Sequence, residues 1–531
     1  MSIKNFRLTS LLLTIMILFD LIFIYYCLIH GIGFGDAIYP ISLCHNIING
    51  NIPLVNSWSC YPGFIFLAPI IQVYKLFNNG YEGVAYFYKI LYYIFMIFNI
   101  YIFYKFICIK SKDNRLINLA IAVLINSFIF ISWGGLSYSY IFIVFNMYCS
   151  FIMYVYDDAY FNKILLSIVS AILMFIMTMF YPTAFIVAIF WTALIYIKNY
   201  KSDDKIRIVI SYVITGAILS IIYLITLLFF ARGHTLLFKS IFSIFNSPHN
   251  ILKMDLLDSI IINFKKYWKY VVALFLVFYV LIIVSRKSIR NIKLIVLDSY
   301  IFIFMFLFLS LVYYLSSDQQ NFILTIIMTI SFFATFCLLY TNDNIIHLKS
   351  ILVVVFFLII PFYIWYIAPK YLGSIPNYKN DKYIESGIYK GLYTNNDDYE
   401  FITSLEKDLK DYFRIDKPDI CEITVFPATY LMTDANVIAP DTWDCMELHV
   451  ANIESWVNER NIPIPIPSYP LTNYFEYFKI KPQYLVAVDY YVRDFKNNNH
   501  KYEINNFIDE YYCIDYEKEY NLSRLIIYKI K

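Results

Sequence analysis

The chain has 531 residues, of which 60% are hydrophobic and only 15% charged, against about a quarter charged in an ordinary soluble domain. The excess falls in separate apolar runs of about 20 residues, the length that crosses a hydrocarbon layer, which excludes a single water-soluble globule. The net charge is only +3, and the basic residues are confined to particular loops, which excludes a nucleic-acid footprint.

The first apolar run, 8–29, follows Lys4 and Arg7. It is long for a signal peptide and no small-x-small cleavage site follows it, so it reads as an uncleaved first span. Asp20 lies inside it; an acid at that depth faces the bundle interior or water, and a hydrogen bond to another helix is the plain expectation. Further spans are predicted at 84–107, 116–133, 137–156, 162–180, 183–198, 207–231, 270–285, 294–315, 321–340 and 350–368. The stretch 63–77 is shorter, and reads as a short span or as a helix lying in or re-entering the membrane.

Charge placement arbitrates, because cytoplasmic loops are enriched in Lys and Arg. If 63–77 does not cross, the clusters Lys105 to Arg115, Lys198 to Arg207 and Arg286 to Lys293 all fall on the side of Lys4 and Arg7, while the turns 134–136, 181–182 and 316–320 carry no Lys or Arg. The result is eleven crossings of a cell membrane, with the N-terminus cytoplasmic and the C-terminus outside. The external segment 232–269 departs from the rule, with Arg232, Lys239, Lys253, Lys265, Lys266 and Lys269. Snorkelling at helix ends accounts for some of these; a site for an anion such as a lipid phosphate is the functional reading.

After Pro369 the chain turns polar. Ile402, Leu405, Leu409 and Phe413 mark one face of a helix, ICEITVF (420–426), YLVAV (484–488) and RLIIYKI (524–530) read as buried strands, and Glu447 to Arg460 reads as a helix. The expected architecture is therefore a polytopic α-helical membrane part, 1–369, with a C-terminal soluble α/β domain, 370–531, large enough for its own core. None of the nine cysteines has zinc-ligand spacing, and a Cys44–Cys60 disulfide or free thiols are both compatible with that loop lying outside. No nucleotide-binding or hydrolase motif is present.

The first external loop, within 30–83, carries the most chemistry. Asp36 is the one acid of residues 30–69; an amphipathic helix on the bilayer surface is predicted at about Ala37 to Ile48; Gly50 and Pro53 break it; Tyr61-Pro62-Gly63 leads into the short apolar helix. A carboxylate at a membrane face is placed to take a proton from an acceptor hydroxyl, but Asp36 also precedes a helix and suits an N-cap, and spacing alone favours the cap. His30 and His45 flank it. Two histidines and an acid are ligand types for a divalent metal, at spacings that single out none. Trp58 and Tyr61 read first as interface anchors.

In this order of residues (Asp36, Gly50, Pro53, Pro62, Gly63 and Pro69) the segment resembles the first external loop of the GT-C membrane glycosyltransferases, closest to the branch with aminoarabinose transferases and protein O-mannosyltransferases. Tyr181-Pro182-Thr183 is similar to a short element of that family, and YLMTDANVIAPDTW (430–443) resembles a stretch of its C-terminal domains. The resemblance implies a donor sugar on a polyprenyl phosphate and a lipid, glycan or protein acceptor. It implies Asp36 as the catalytic base, with His45, Tyr61, Arg232, His234 and Lys239 around the substrates. The rival readings are a flippase or transporter of a lipid-linked saccharide, for which repeated halves are expected, and a non-catalytic scaffold with an exported binding domain.

The charge pattern predicts that a reporter active only in the cytoplasm, fused after Lys531, stays silent. Strong activity there would make the crossing count even and put 63–77 across the membrane.

Overall fold

In a computed structural model the described residues are 24–34, 37–53, 61–110, 162–231, 381–439, 475–488 and 503–531, with gaps of one or two residues, and scattered positions at 18–22 and 141–152. The spans expected at 116–133 and between 270 and 368, and the helix expected at Glu447 to Arg460, lie outside them.

Among the described residues three helices are long and apolar enough to cross a membrane, Val84–Lys105, Lys163–Phe180 and Lys205–Phe229. Before them come α1 (Tyr39–Ile48), a 3-10 turn (Pro62–Phe66) and α2 (Ala68–Phe77). The long helices are α3 (Val84–Lys110), α4 (Lys163–Phe180) and α6 (Lys205–Ala231), with the shorter α5 (Phe185–Lys198) between the last two. α2 has 10 residues and is about 15 Å long at 1.5 Å per residue, half the thickness of a hydrocarbon core.

Local chemistry sets the helix ends. The side chain of Asn162 accepts hydrogen bonds from the amides of Ile164 and Leu165 (2.9 and 3.4 Å), capping α4. Tyr181 ends it at φ −143°, ψ 87°, as the residue before a proline tends to do. The inward face of α4 carries Ser167, Ser170 and Ala171, all buried, which lets neighbouring helices approach closely. α5 and α6 form a hairpin: the Tyr212 hydroxyl donates to the carbonyl of Ala188 (3.0 Å). α6 exposes Ile206, Ile210, Ile214, Ile218, Ile221, Ile225 and Phe229, a surface that hydrocarbon tolerates and water does not.

The C-terminal domain opens with the antiparallel hairpin β1 (Lys382–Tyr383) and β2 (Tyr393–Thr394). α7 (Asn396–Tyr412) follows, capped by Asn395 and burying Phe401, Ile402, Leu405 and Leu409. The main sheet has the order β4-β3-β5-β7-β6. β3 (Asp419–Glu422) pairs parallel with both β4 (Asn436–Val437) and β5 (Tyr484–Val488); β7 (Arg524–Ile530) pairs antiparallel with β5 and with β6 (Tyr512–Glu519). Every residue of the central β5 is buried, whereas the edge strand β6 is largely exposed, with Asp515, Glu517 and Glu519 outward. α8 (Ala428–Met432) and α9 (Glu503–Tyr511) complete the described domain. The strand expected over 420–426 stops at Glu422, because its carboxylate turns back to accept from the amides of Thr424 (2.9 Å) and Phe426 (3.3 Å).

The 3-10 turn packs on the end of α4. The Phe180 ring lies so close to Gly63 that a Cβ there would sit 2.6 Å from ring carbons, and Phe64 meets the same ring edge-on at 5.4 Å. The Tyr61-Pro62-Gly63 segment and the Tyr181 turn are thus neighbours, while the basic turn between α5 and α6 lies at the other end of those helices. Gly63→Ala is expected to lower the stability of the solubilised protein by about 1–3 kcal/mol through overpacking, read as a lower melting temperature, and Phe180→Ala added to it should recover part of the loss. An unchanged melting temperature for Gly63→Ala would contradict this packing.

Candidate functional site

The loop that carries Asp36 begins where the helical stretch 24–29 ends. Lys89 of α3 reaches back to that end, and its ammonium donates to the carbonyls of Cys27 (3.2 Å), His30 (2.8 Å) and Gly31 (2.7 Å). A helix C-terminus presents carbonyls with no partner of their own, and a cation there satisfies them. Gly31, at φ 80°, then turns the chain toward the C-terminal domain, where its amide donates to the carbonyl of Tyr393 in β2 (2.8 Å). The His30 ring stacks between Tyr26 (4.0 Å) and Tyr393 (5.1 Å).

Phe34 is buried in an aromatic box of the C-terminal domain formed by Tyr389, Phe401 and Phe426, with ring centroids at 6.2, 5.9 and 5.7 Å. The Tyr389 hydroxyl donates to the carbonyl of Gly33 (3.0 Å). A Cβ at Gly33 would lie 2.5 Å from that of Ala37, so this close approach requires glycine. Asp36 itself lies outside the described residues. α1 begins at Tyr39, its N-cap position is Ile38, and no side chain caps it; the helix starts later than the sequence suggests, with Pro40 in its first turn, and Asp36 is not its N-cap residue.

α1 is not a helix resting on the bilayer. Tyr39 to Asn46 are all buried, because the C-terminal domain covers the side turned away from the membrane helices. His45 is the centre of that contact, with 0% exposure. Its Nε2 lies 2.7 Å from the carbonyl of Ala435. A carbonyl only accepts, so Nε2 carries the proton and Nδ1 accepts from the Tyr81 hydroxyl at 2.6 Å. Asn49 also donates to Ala435 (3.0 Å), and Asn51 donates to the carbonyl of Val437 (2.9 Å). Between them Asp434, held at φ 47°, pairs with Lys75 of α2 at 2.5 Å, and the Lys75 ammonium sits 4.9 Å above the Tyr81 ring. The segment 430–437 is therefore bonded to the loop that carries Asp36.

Of the other residues singled out in the sequence, Tyr61 is half-buried and meets Tyr39 edge-on at 6.1 Å. Arg232, His234 and Lys239 lie outside the described residues. His30 and His45 are engaged with separate partners, and no group of His, Cys, Asp or Glu side chains suited to a metal ion occurs among the described residues. Asp434 falls within the stretch 430–443 that the sequence singles out; Lys89, Tyr81, Lys75 and Phe34 escape it. A lysine inside an otherwise apolar run was the signal for Lys89; nothing local marks the others. Compared with known proteins, the chain matches no protein-family model and no curated protein.

Burial pushes the His45 pKa down to about 4, against the Ala435 hydrogen bond and the Asp434 carboxylate, which pull it up; Lys75 and Lys417 add to the depression. At neutral pH the ring is uncharged, and its 3.8 Å approach to Asp434 is a contact rather than an ion pair. In the unfolded chain His45 takes up a proton near the ordinary 6.5, so stability falls as the pH drops from 6.5 toward 4. Across the whole window the loss is roughly 3 kcal/mol. His45→Gln, which keeps a donor for Ala435 and removes the titration, should flatten the fall of melting temperature over that range. A slope equal to that of the unaltered protein would remove His45 from the joint's pH response.

Proposed function

We propose that the protein is a membrane glycosyltransferase that moves a sugar from a polyprenyl-phosphate donor to an acceptor hydroxyl at the membrane face on which its C-terminal domain rests, the extracytoplasmic face of the cell membrane. Asp36 is the base. Its carboxylate takes the proton as the acceptor oxygen bonds to the anomeric carbon, and the bond from that carbon to the phosphate oxygen breaks with its electron pair leaving on the polyprenyl phosphate. Attack opposite the leaving group inverts the sugar. Arg232, His234 and Lys239, in the segment that follows α6, hold the donor phosphate, and Tyr61 lies toward the sugar. His45 serves this site by fixing α1, since both of its ring nitrogens are committed to protein partners.

The observation that supports this reading is the seating of the Asp36 loop. Its flanks are held on one side by the Phe34 box and the Tyr389 hydrogen bond and on the other by α1, buried against segment 430–437. The loop itself and segment 430–437 belong to two of the three stretches whose sequences resemble the transferases. A base must sit within hydrogen-bond reach of its proton, and a loop pinned at both ends by a rigid domain meets that demand better than a free one.

Asp36→Asn should abolish nearly all sugar loss from a polyprenyl-phosphate donor in membranes at matched expression, since a general base contributes about 10²–10⁴-fold. Melting temperature should hold, because the substitution keeps size and polarity. Retention of most of the activity would dismiss Asp36 as the base, and a chain that consumes no such donor under any condition would favour the scaffold.

A further inference from the structure

We infer that α2 is an interfacial helix whose outward face is sunk into the acyl chains of the leaflet under the C-terminal domain, so that the domain is moored to the bilayer as well as tethered to the spans. The inference does not rest on the transferase reading.

The outward residues of α2 are apolar and share one stripe. Pro69, Ile70, Val73, Leu76 and Phe77 are all exposed, Leu76 at 72% and Phe77 at 83%. At 3.6 residues per turn they fall within about a third of the circumference. The exposed Ile65 and Phe66 of the preceding 3-10 turn extend the patch. The opposite face is fully engaged: Ala68 and Ile71 are buried, the Tyr74 hydroxyl donates to the carbonyl of Glu82 (2.5 Å) while its ring stacks on Phe87 at 4.2 Å, and Lys75 holds Asp434. An open groove of about 400 Å³ beside it is lined by Pro69, Val73, Phe77 and Phe87.

Two observations name the occupant. The patch lies beside α3, which starts at Val84 and exposes Ile94, Ile97, Phe98 and Tyr101, the stripe of a helix that faces hydrocarbon. Meanwhile α2, too short to cross, is fixed at the level of the C-terminal domain by the Lys75–Asp434 pair. A helix with one apolar stripe, one engaged polar face and that position lies in the plane of the membrane boundary, with its apolar side buried about 5–10 Å into the lipid.

The test uses the unaltered full-length chain in membrane vesicles, labelled by a photoactivated carbene reagent confined to the bilayer core, with modified residues mapped by mass spectrometry. Ile70, Val73, Leu76 and Phe77 should label as strongly as Ile94, Ile97 and Phe98. They should exceed Ile514 by about tenfold; that residue is 45% exposed on the edge strand β6 of the C-terminal domain. Labelling of α2 no stronger than that of Ile514 would overturn the inference. Labelling of α3 with protection of α2 would overturn it equally, since a protein partner or a second copy would then cover that face.

Discussion

One buried ammonium sets the geometry on which the rest depends. Lys89 is 8% exposed, and a charge removed from water in this way is tolerated only when its donors are satisfied. An ammonium has three N–H donors, and three carbonyls at the end of the first helix receive them. The arrangement ties the second turn of α3 to the exit of the helix at 24–29. Gly31 leaves that point at a fixed angle, so its amide meets Tyr393, and nearby the amides of Gly83 and Ala85 donate to the carbonyls of Gly387 (2.8 Å) and Ile388 (3.1 Å). The C-terminal domain is thus attached through backbone bonds at the start of α3 and at the end of the helical stretch 24–29.

From that attachment the joint builds outward. A single hydrogen bond contributes only about 0.5–1.5 kcal/mol, and the partly exposed Lys75–Asp434 pair contributes little more than an exposed one. What makes the joint firm is that its polar groups are buried against partners: breaking one bond leaves His45 or a carbonyl unsatisfied, at a greater cost than the bond itself. The Phe34 box adds apolar burial on the other side of the loop. Segments far apart in sequence, 30–53 and 430–437, therefore behave as one structural unit, and a loop that in isolation would sample many conformations is held at both flanks. This is the physical basis for regarding the loop as a site rather than a connection.

Much of the frame was legible in the sequence. Spans expected at 84–107, 162–180 and 207–231 correspond to Val84–Lys110, Lys163–Phe180 and Lys205–Ala231, because twenty apolar residues in a row leave the chain few alternatives; the span expected at 183–198 is the 14-residue helix Phe185–Lys198, shorter than a crossing needs. Ile402, Leu405, Leu409 and Phe413 are buried on one side of α7, and the runs at 484–488 and 524–530 are strands. β6 was not legible: Cys513, Ile514 and Asp515 of YCIDYEKE are exposed in succession at a register shift, so no regular alternation marks the strand. The joint was legible only as separate pieces. His45 looked like an interfacial polar residue because nothing within its own helix reveals that a carbonyl 390 positions away meets its ring. α1 looked like a surface helix because its cover comes from the far end of the chain.

The whole arrangement depends on the C-terminal domain being seated on the loop that follows the helical stretch 24–29. His30 and Tyr393 are partners across the parallel bridge that joins the loop to β2, and bridge partners on neighbouring strands lie about 5 Å apart, within the Cα separation a disulfide needs. With the other cysteines removed, a protease site placed between 111 and 380, and His30→Cys combined with Tyr393→Cys, mild oxidation in native membranes should leave the two halves joined after cleavage, and reductant should separate them. Halves that part under oxidising conditions, at the same rate as in either single variant, would contradict the seating and with it the whole arrangement of the site.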